Sequence, residues 1–281
     1  MTATISALLA DSTHELSAVG HGSAAIDVKV LLCHVLDQPT SYLYTWPDRK
    51  LTAAQLAQFR QLFARRLQGE PVAYILGYRD FWTLRLSVSP ATLIPRPETE
   101  LLVEQALAVL PDKPCRVLDL GTGTGAIALA IASERADATV VGVDLMPEAV
   151  LLASRNAHDN QITNAHFIQS DWFDALSDMQ PFDLIVSNPP YIDGADPHLQ
   201  QGDVRFEPAS ALVADESGLA DIRHIGATAR TYLAASGWLM VEHGYDQGAA
   251  VRALWQRQGW GNIATQQDLA GLDRVTVAQN V

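Results

Sequence analysis

The hydrophobic pattern changes character twice along the chain. Between residues 51 and 71, in LTAAQLAQFRQLFARRLQGEP, Leu56, Phe59, Leu62, Phe63 and Leu67 fall on one helical stripe. Thr52 and Gln55 have the spacing of a capping box at its start, and Gly69 and Pro71 stop it. An earlier run, AAIDVKVLLCHVLDQP (24–39), has the same character, so residues 1–77 are expected to form a small helical bundle. From 78 to 97 the pattern alternates in part, DFWTLRLSVSPATLIP, which predicts a hairpin or extended linker. Ile94-Pro95-Arg96-Pro97 then forbids helix locally, while Pro97 can open the next one, with Glu98 and Glu100 in a first turn that favours negative charge.

Beyond Pro114 short apolar runs alternate with helical ones. RVLDLG, ATVVGVDL, AHFIQSD, FDLIVSN, GWLMVEHG and DRVTVAQ read as strands; AIALAIASE and PEAVLLASRNAHD read as helices. This βαβ alternation predicts an α/β fold over 98–281: a Rossmann-like, doubly wound, mostly parallel sheet buried on both faces.

Composition narrows the classes. With 281 residues, 48% hydrophobic and 18% charged, the chain has ample material for a core. It holds no apolar run near the roughly 18 residues that span a bilayer, and no basic segment precedes its first apolar patch. A cytoplasmic protein is expected. Cys33 and Cys115 lie far apart without metal-type spacing, so reduced thiols and no metal are expected. The net charge of −13 is uneven. Residues 1–80 carry seven basic and seven acidic side chains, so the whole excess lies in 81–281. That sign opposes phosphate-backbone binding and argues against nucleic acid as the main substrate.

Candidate chemistry sits at strand ends. VLDLGTGTGAIALA (117–130) places Gly121, Gly123 and Gly125 in a strand-to-helix turn, where glycines allow close approach of a ligand. Asp144 ends the next strand, 23 residues on, where a carboxylate can accept from ribose hydroxyls. Gly121-x-Gly123-x-x-Ala126 also satisfies a relaxed dinucleotide fingerprint, so a nicotinamide oxidoreductase stays open. Two features point instead to S-adenosylmethionine. Asp119, just before the loop, can pair with an ammonium but would repel a pyrophosphate, and Asp171 and Trp172 after the third strand can meet an adenine edge and face.

The fourth strand stops hard in FDLIVSNPPYIDG, with Asn188-Pro189-Pro190-Tyr191. Such a corner suits methylation of a planar NH2 group. The delocalised lone pair is a poor nucleophile, and holding both hydrogens aligns the nitrogen with the methyl donor. The Asn188 side-chain oxygen and Pro189 carbonyl are the two expected acceptors, and Tyr191 offers a face to the substrate plane. No general base is assigned. The motif itself does not choose between a carboxamide and an exocyclic adenine amine, so an adenine-N6 methyltransferase also stays open.

YILGYRDFW (74–82), LIPRPETELLV (93–103), SNPPYI, RFEPASAL (205–212) and GWLMVEHGYDQG (237–248), with the glycine loop, closely resemble the PrmC/HemK family of protein-(glutamine-N5) methyltransferases. The resemblance covers essentially the whole chain. It implies methylation of the Gly-Gly-Gln loop of class I peptide chain release factors, with the N-terminal bundle helping to dock them and the enzyme acting as a monomer. It further implies that Gly121, Thr122, Gly123, Thr124, Gly125, Asp144 and Trp172 bind S-adenosylmethionine. Asn188 would touch both cofactor and substrate, and Pro189, Pro190 and Tyr191 would complete the glutamine pocket. Trp82 departs from the pattern, standing near a position expected to hold glycine. Arg96 and Thr99 border either the pocket or a linker; Glu207 and His243 are open between site and scaffold.

Overall fold

The structure is a computed structural model describing residues 3–281. The described residues divide into two compact units, residues up to 78 with 197–206, and residues 79–196 with 207–281.

The first unit is helical: α1 (Ile5–Ala18), α2 (Ala24–Leu36), α3 (Thr40–Thr45), α4 (Ala53–Leu67) and α5 (Val72–Leu76). The α4 capping box forms as its spacing predicts: the Gln55 N–H donates to Thr52 Oγ1 (3.2 Å) and the Thr52 N–H to Gln55 Oε1 (3.0 Å). Leu56, Phe59 and Phe63 are buried on α4, with the two rings stacked at 5.6 Å. Each such apolar side chain contributes about 1.5–3 kcal/mol on burial. Leu62 and Leu67 are only half-buried, and Arg66 takes the inner position. Its guanidinium donates to Asp27 (2.8 Å) and to Asp203 (2.7 Å), the latter in the segment 197–206 that belongs to this unit. A charge so buried persists because both partners are carboxylates. Helix α1 lacks a stripe as distinct as that of α4, and the sequence reading did not single it out.

The hairpin pairs β1 (Tyr78–Phe81) with β2 (Leu84–Ser87). Trp82 in its turn has φ +55°, a conformation that favours glycine, which accounts for the departure noted above. The strain is offset by anchoring: the Trp82 N–H donates to Glu100 Oε1 (2.9 Å) and its indole N–H to Glu134 Oε1 (2.7 Å).

The second unit is built on seven strands: β3 (Arg116–Leu120), β4 (Thr139–Asp144), β5 (Ala165–Gln169), β6 (Phe182–Ser187), β7 (Leu233–Glu242), β8 (Gly261–Gln267) and β9 (Asp273–Gln279). Their order is β5-β4-β3-β6-β7-β9-β8, parallel except at β9, which is antiparallel to both neighbours. Helices α6 (Glu100–Val109), α7 (Ala126–Glu134), α8 (Pro147–Asp159), a left-handed turn α9 (Asp215–Gly218), α10 (Ala220–Thr228) and α11 (Gly248–Arg257) complete it. Alternate strand residues feed two cores. Val117, Val140, Leu184, Val186 and Met240 pack with α6 and α7, whereas Leu118, Val141, Ile185, Leu239 and Val241 pack with α10 and α11. This two-sided burial is why the strands read as continuous apolar runs. Strand β8 escaped the sequence reading because GNIATQQ is half-exposed throughout and pairs only at the sheet edge. Pro97 opens a short 3-10 segment, Pro97–Thr99, ahead of α6 rather than α6 itself. Among the described residues no helix is long and apolar enough to cross a membrane.

Candidate active site

Strand order reverses between β4-β3 and β3-β6, and in open α/β sheets ligands sit beyond the carboxyl ends of the strands at such a point. Here a cavity of about 260 Å³ opens. Gly121, Thr122, Gly123, Thr124, Asp144, Asp171, Trp172, Asn188 and Pro190 all line it. The structure therefore brings nearly all the sequence candidates together from four strand ends. Gly125, Pro189 and Tyr191 stand outside the lining.

The glycine loop is held from below and from the side. Gly121, Gly123 and Gly125 have φ of +69°, +56° and +81°. Asp119 is fully buried under the loop, where one oxygen accepts from the Thr122 hydroxyl (2.7 Å) and the Ala128 N–H (3.3 Å). Burial pushes its carboxyl up to about 7. Asp119 lies beneath the loop and outside the cavity lining, supporting Thr122 and Ala128 with one oxygen, while its Oδ1 is buried without a partner. Asp144 accepts from the Gly123 N–H (2.9 Å) and the Met146 N–H (3.0 Å), tying the β3 and β4 loops together. Its pKa is raised by burial. Trp172 takes φ +45°, and the Ser170 hydroxyl, donating to the Trp172 carbonyl (3.0 Å), fixes that kink.

The cavity wall also contains Asp221 of α10, which the sequence reading missed because it lies 49 residues beyond Trp172 in an ordinary amphipathic helix. With Asp144 and Asp171 it makes the wall acidic. Among the described residues the one cationic side chain in the wall, Arg96, is already paired with Glu207. Such a lining suits a cationic sulfonium ligand with ribose hydroxyls and disfavours an anionic pyrophosphate, which removes the basis for a nicotinamide reading.

At the end of β6 the Ser187 hydroxyl donates to the Leu120 carbonyl (2.8 Å), pinning the corner to β3. The Asn188 side-chain amide donates to Thr99 Oγ1 (3.2 Å), while its Oδ1 is buried without a hydrogen-bond partner. Buried polar atoms are nearly always paired, so an orphaned acceptor in a cavity wall marks a place for a donor. Tyr191 is turned away from the cavity: its phenol meets Glu242 Oε1 (3.5 Å), and burial raises its pKa. Tyr191, expected to offer a face to the substrate plane, lies outside the lining of this cavity, and its phenol braces the corner against Glu242. Arg96 and Thr99 do line the cavity. Glu207 accepts from the Ile94 N–H (3.1 Å) and pairs with Arg96, fixing the segment 91–99 that forms one wall. His243 is buried with both ring nitrogens engaged, by the Gly244 carbonyl (2.9 Å) and Thr276 Oγ1 (2.8 Å). Burial lowers its pKa, and it serves the scaffold.

Comparison with known proteins settles the lineage. The PrmC N-terminal domain profile matches residues 7–77, and a methyltransferase domain profile matches 111–254. The chain is 58% identical to the release factor glutamine methyltransferase of Vibrio cholerae, covering 99% of this chain and 98% of that one. It is 54% identical to the protein of that name from Escherichia coli K12, over 90% and 91% of the two chains. The chain belongs to the release factor glutamine methyltransferase family. A solved Pyrococcus furiosus methyltransferase shares the fold at 17% identity, with a TM-score of 0.55 over 79% of this chain and 98% of that one. So does the 16S rRNA N2 G1207 methyltransferase of T. thermophilus in complex with AdoMet and guanosine, at 22% identity and TM-score 0.51 over 73% and 50%. The protein is a methyltransferase, and its cofactor is S-adenosylmethionine, for which the acidic wall, the glycine loop and Trp172 are a fitting set.

Proposed function

We infer that this enzyme methylates the side-chain amide nitrogen (N5) of the glutamine in the Gly-Gly-Gln loop of class I peptide chain release factors. Near full-length identity to enzymes of that name supports the substrate. The single geometric observation that carries the mechanism is the buried, unpartnered Oδ1 of Asn188 at the cavity wall.

Bound S-adenosylmethionine supplies an electrophilic methyl group on a positively charged sulfur. Asp144 is suited to ribose hydroxyls, because its backbone bonds leave further lone pairs on the same oxygens. Asn188 Oδ1 accepts one amide hydrogen of the substrate glutamine, and the Pro189 carbonyl accepts the other. Two fixed acceptors confine the NH2 group, so attack is effectively unimolecular, an effect worth up to about 7–11 kcal/mol. Pro189 and Pro190 hold these acceptors rigid. Residues 1–77 act as the docking part, the enzyme works as a monomer in the cytoplasm, and no nucleic acid is required.

The test supplies labelled methyl donor with a release factor and, separately, with DNA, and locates the label by mass spectrometry. Label on the Gly-Gly-Gln glutamine is expected. Label on adenine, or none on that glutamine, would refute the reading.

A further inference from the structure

The sheet topology brings a second loop to the end of the sheet where the cavity opens. Strand β9 runs antiparallel to β7, with Val275 opposite Glu242, so the β8–β9 loop, residues 268–272, lies at the carboxyl end of β7. That end is where open α/β sheets bind their ligands. Hydrogen bonds tie this edge to the Asn188 corner. The His243 N–H donates to the Arg274 carbonyl (2.9 Å), the Gly244 N–H to Gln247 Oε1 (2.8 Å), and the Gln247 side-chain amide to the Tyr191 carbonyl (3.0 Å).

The loop is braced, yet it holds apolar side chains in water. Asp268 Oδ1 accepts from the Ala270 and Leu272 N–H groups (2.9 and 3.0 Å), and Oδ2 accepts from Arg274 Nε (3.1 Å). The Asp268 N–H donates to the Leu272 carbonyl (2.9 Å), and the Gly271 N–H donates back to the Asp268 carbonyl (2.9 Å). Within this frame Leu269 is the most exposed large apolar side chain among the described residues. Leu272 is 41% exposed, and Tyr245, on the loop after β7 at the same edge, is 63% exposed. Scattered single apolar residues are ordinary on a surface, but three on one braced edge mark a place for a partner.

We propose that Leu269, Leu272 and Tyr245 are a docking surface for the release factor, seated in an apolar depression beside the loop that carries the glutamine. The cavity takes in a side chain, not a folded protein, so a protein that lowers a loop onto the Asn188 corner must rest on the strand ends around it. Strand β9 is second from β6 in the sheet, about 10 Å away at the usual strand spacing. A braced and exposed leucine is suited to anchoring, because docking gains its burial without the cost of ordering its loop. Arg274 is held by Asp268, so the edge offers apolar contact rather than a free cation, which fits a protein face and not a phosphate backbone. This inference rests on the release factor reading above.

The experiment titrates a release factor into the full-length enzyme by calorimetry, with S-adenosylhomocysteine present, and measures kcat and KM alongside. Wild type is compared with Leu269→Ala, Leu269→Asp and Tyr245→Ala. Leu269→Ala should weaken binding and raise KM about 5- to 30-fold, the usual loss of an interface anchor. Leu269→Asp should lose more, because docking would bury an unpaired carboxylate. Tyr245→Ala should lose about 3- to 10-fold. Cofactor affinity and kcat should stay within about twofold in all three, because neither side chain lines the cavity. A loss of kcat in place of affinity would overturn the docking surface. So would a wild-type dimer in sedimentation that Leu269→Asp dissociates, since the loop would then face a second copy. Tight wild-type binding that Leu269→Asp leaves untouched sinks the surface alone. A wild-type enzyme that binds no release factor sinks the substrate reading beneath it.

Discussion

The loop after β3 and the corner after β6 leave neighbouring strands of one sheet, yet they differ in how much of their polar surface the protein itself pairs. In the glycine loop most bonds are already made: one oxygen of Asp119 holds Thr122 and Ala128 while its other oxygen is buried without a partner, and Asp144 holds Gly123 and Met146. At the corner Asn188 spends its donor on Thr99 and keeps its acceptor unpaired. The loop is braced by four backbone and side-chain bonds, whereas the corner's side-chain oxygen is left open, as the proposed grip on a substrate amide requires. The difference matches two tasks, since a cofactor must be held repeatedly in one pose, while a nucleophile must be gripped at the moment of transfer.

Asn188→Ala should break that contrast most severely. Turnover on a release factor is expected to fall by at least about 100-fold, in line with losing one preorganised transition-state partner. The melting temperature should fall only slightly, because the oxygen removed had no partner within the protein and the single bond lost, from the amide nitrogen to Thr99, is worth about 0.5–1.5 kcal/mol. Next comes Asp144→Ala, read by calorimetric titration with S-adenosylmethionine. Losing charge-assisted bonds worth about 1.5–3 kcal/mol should weaken cofactor binding by about 10- to 100-fold.

A smaller effect is expected from Gly142→Ala. A Cβ there would meet Phe167 at 2.6 Å and Thr122 Oγ1 at 2.7 Å, so the loop must shift. Urea unfolding should show a loss of about 1–3 kcal/mol, the usual cost of overpacking. The smallest effect concerns Asp119, whose carboxyl is raised from its ordinary 3.8 to about 7 by burial. Between these values the folded state binds the extra proton, so this group's contribution to stability falls as pH rises from about 4 to 7 and levels off above. Asp119→Asn should flatten that slope in melting curves recorded across the same range. An unchanged slope would mean that the group is charged throughout.

The sheet was legible because parallel strands buried on both faces leave long apolar runs, and Val117, Leu118, Ile185 and Val186 are such residues. β8 was not, because an edge strand with half-exposed side chains has no such pattern to leave. Most cofactor-side candidates were readable for a related reason: close backbone approach demands glycine, and a carboxylate at a strand end is conspicuous. For Tyr191 and Asp119 the sequence left the direction of the side chain open. Their places in the chain were clear, but whether a side chain faces the cavity or the core depends on neighbours remote in sequence, Glu242 for one and the helix start at Ala128 for the other.

By itself the sequence determined the two-part architecture, the strand-end positions of the glycine loop, Asp144, Trp172 and the Asn188 corner, and through its motifs the family. All of these follow from local rules of periodicity, turn chemistry and backbone freedom. Only the tertiary structure decided that Thr99 stands behind Asn188, that Asp221 joins the acidic wall, and that Arg96 is neutralised by Glu207. Those pairings link residues 89, 50 and 111 positions apart (the second from Asp171 to Asp221). Contacts at such separations depend on how the sheet and its loops close, and no local pattern in the chain records them.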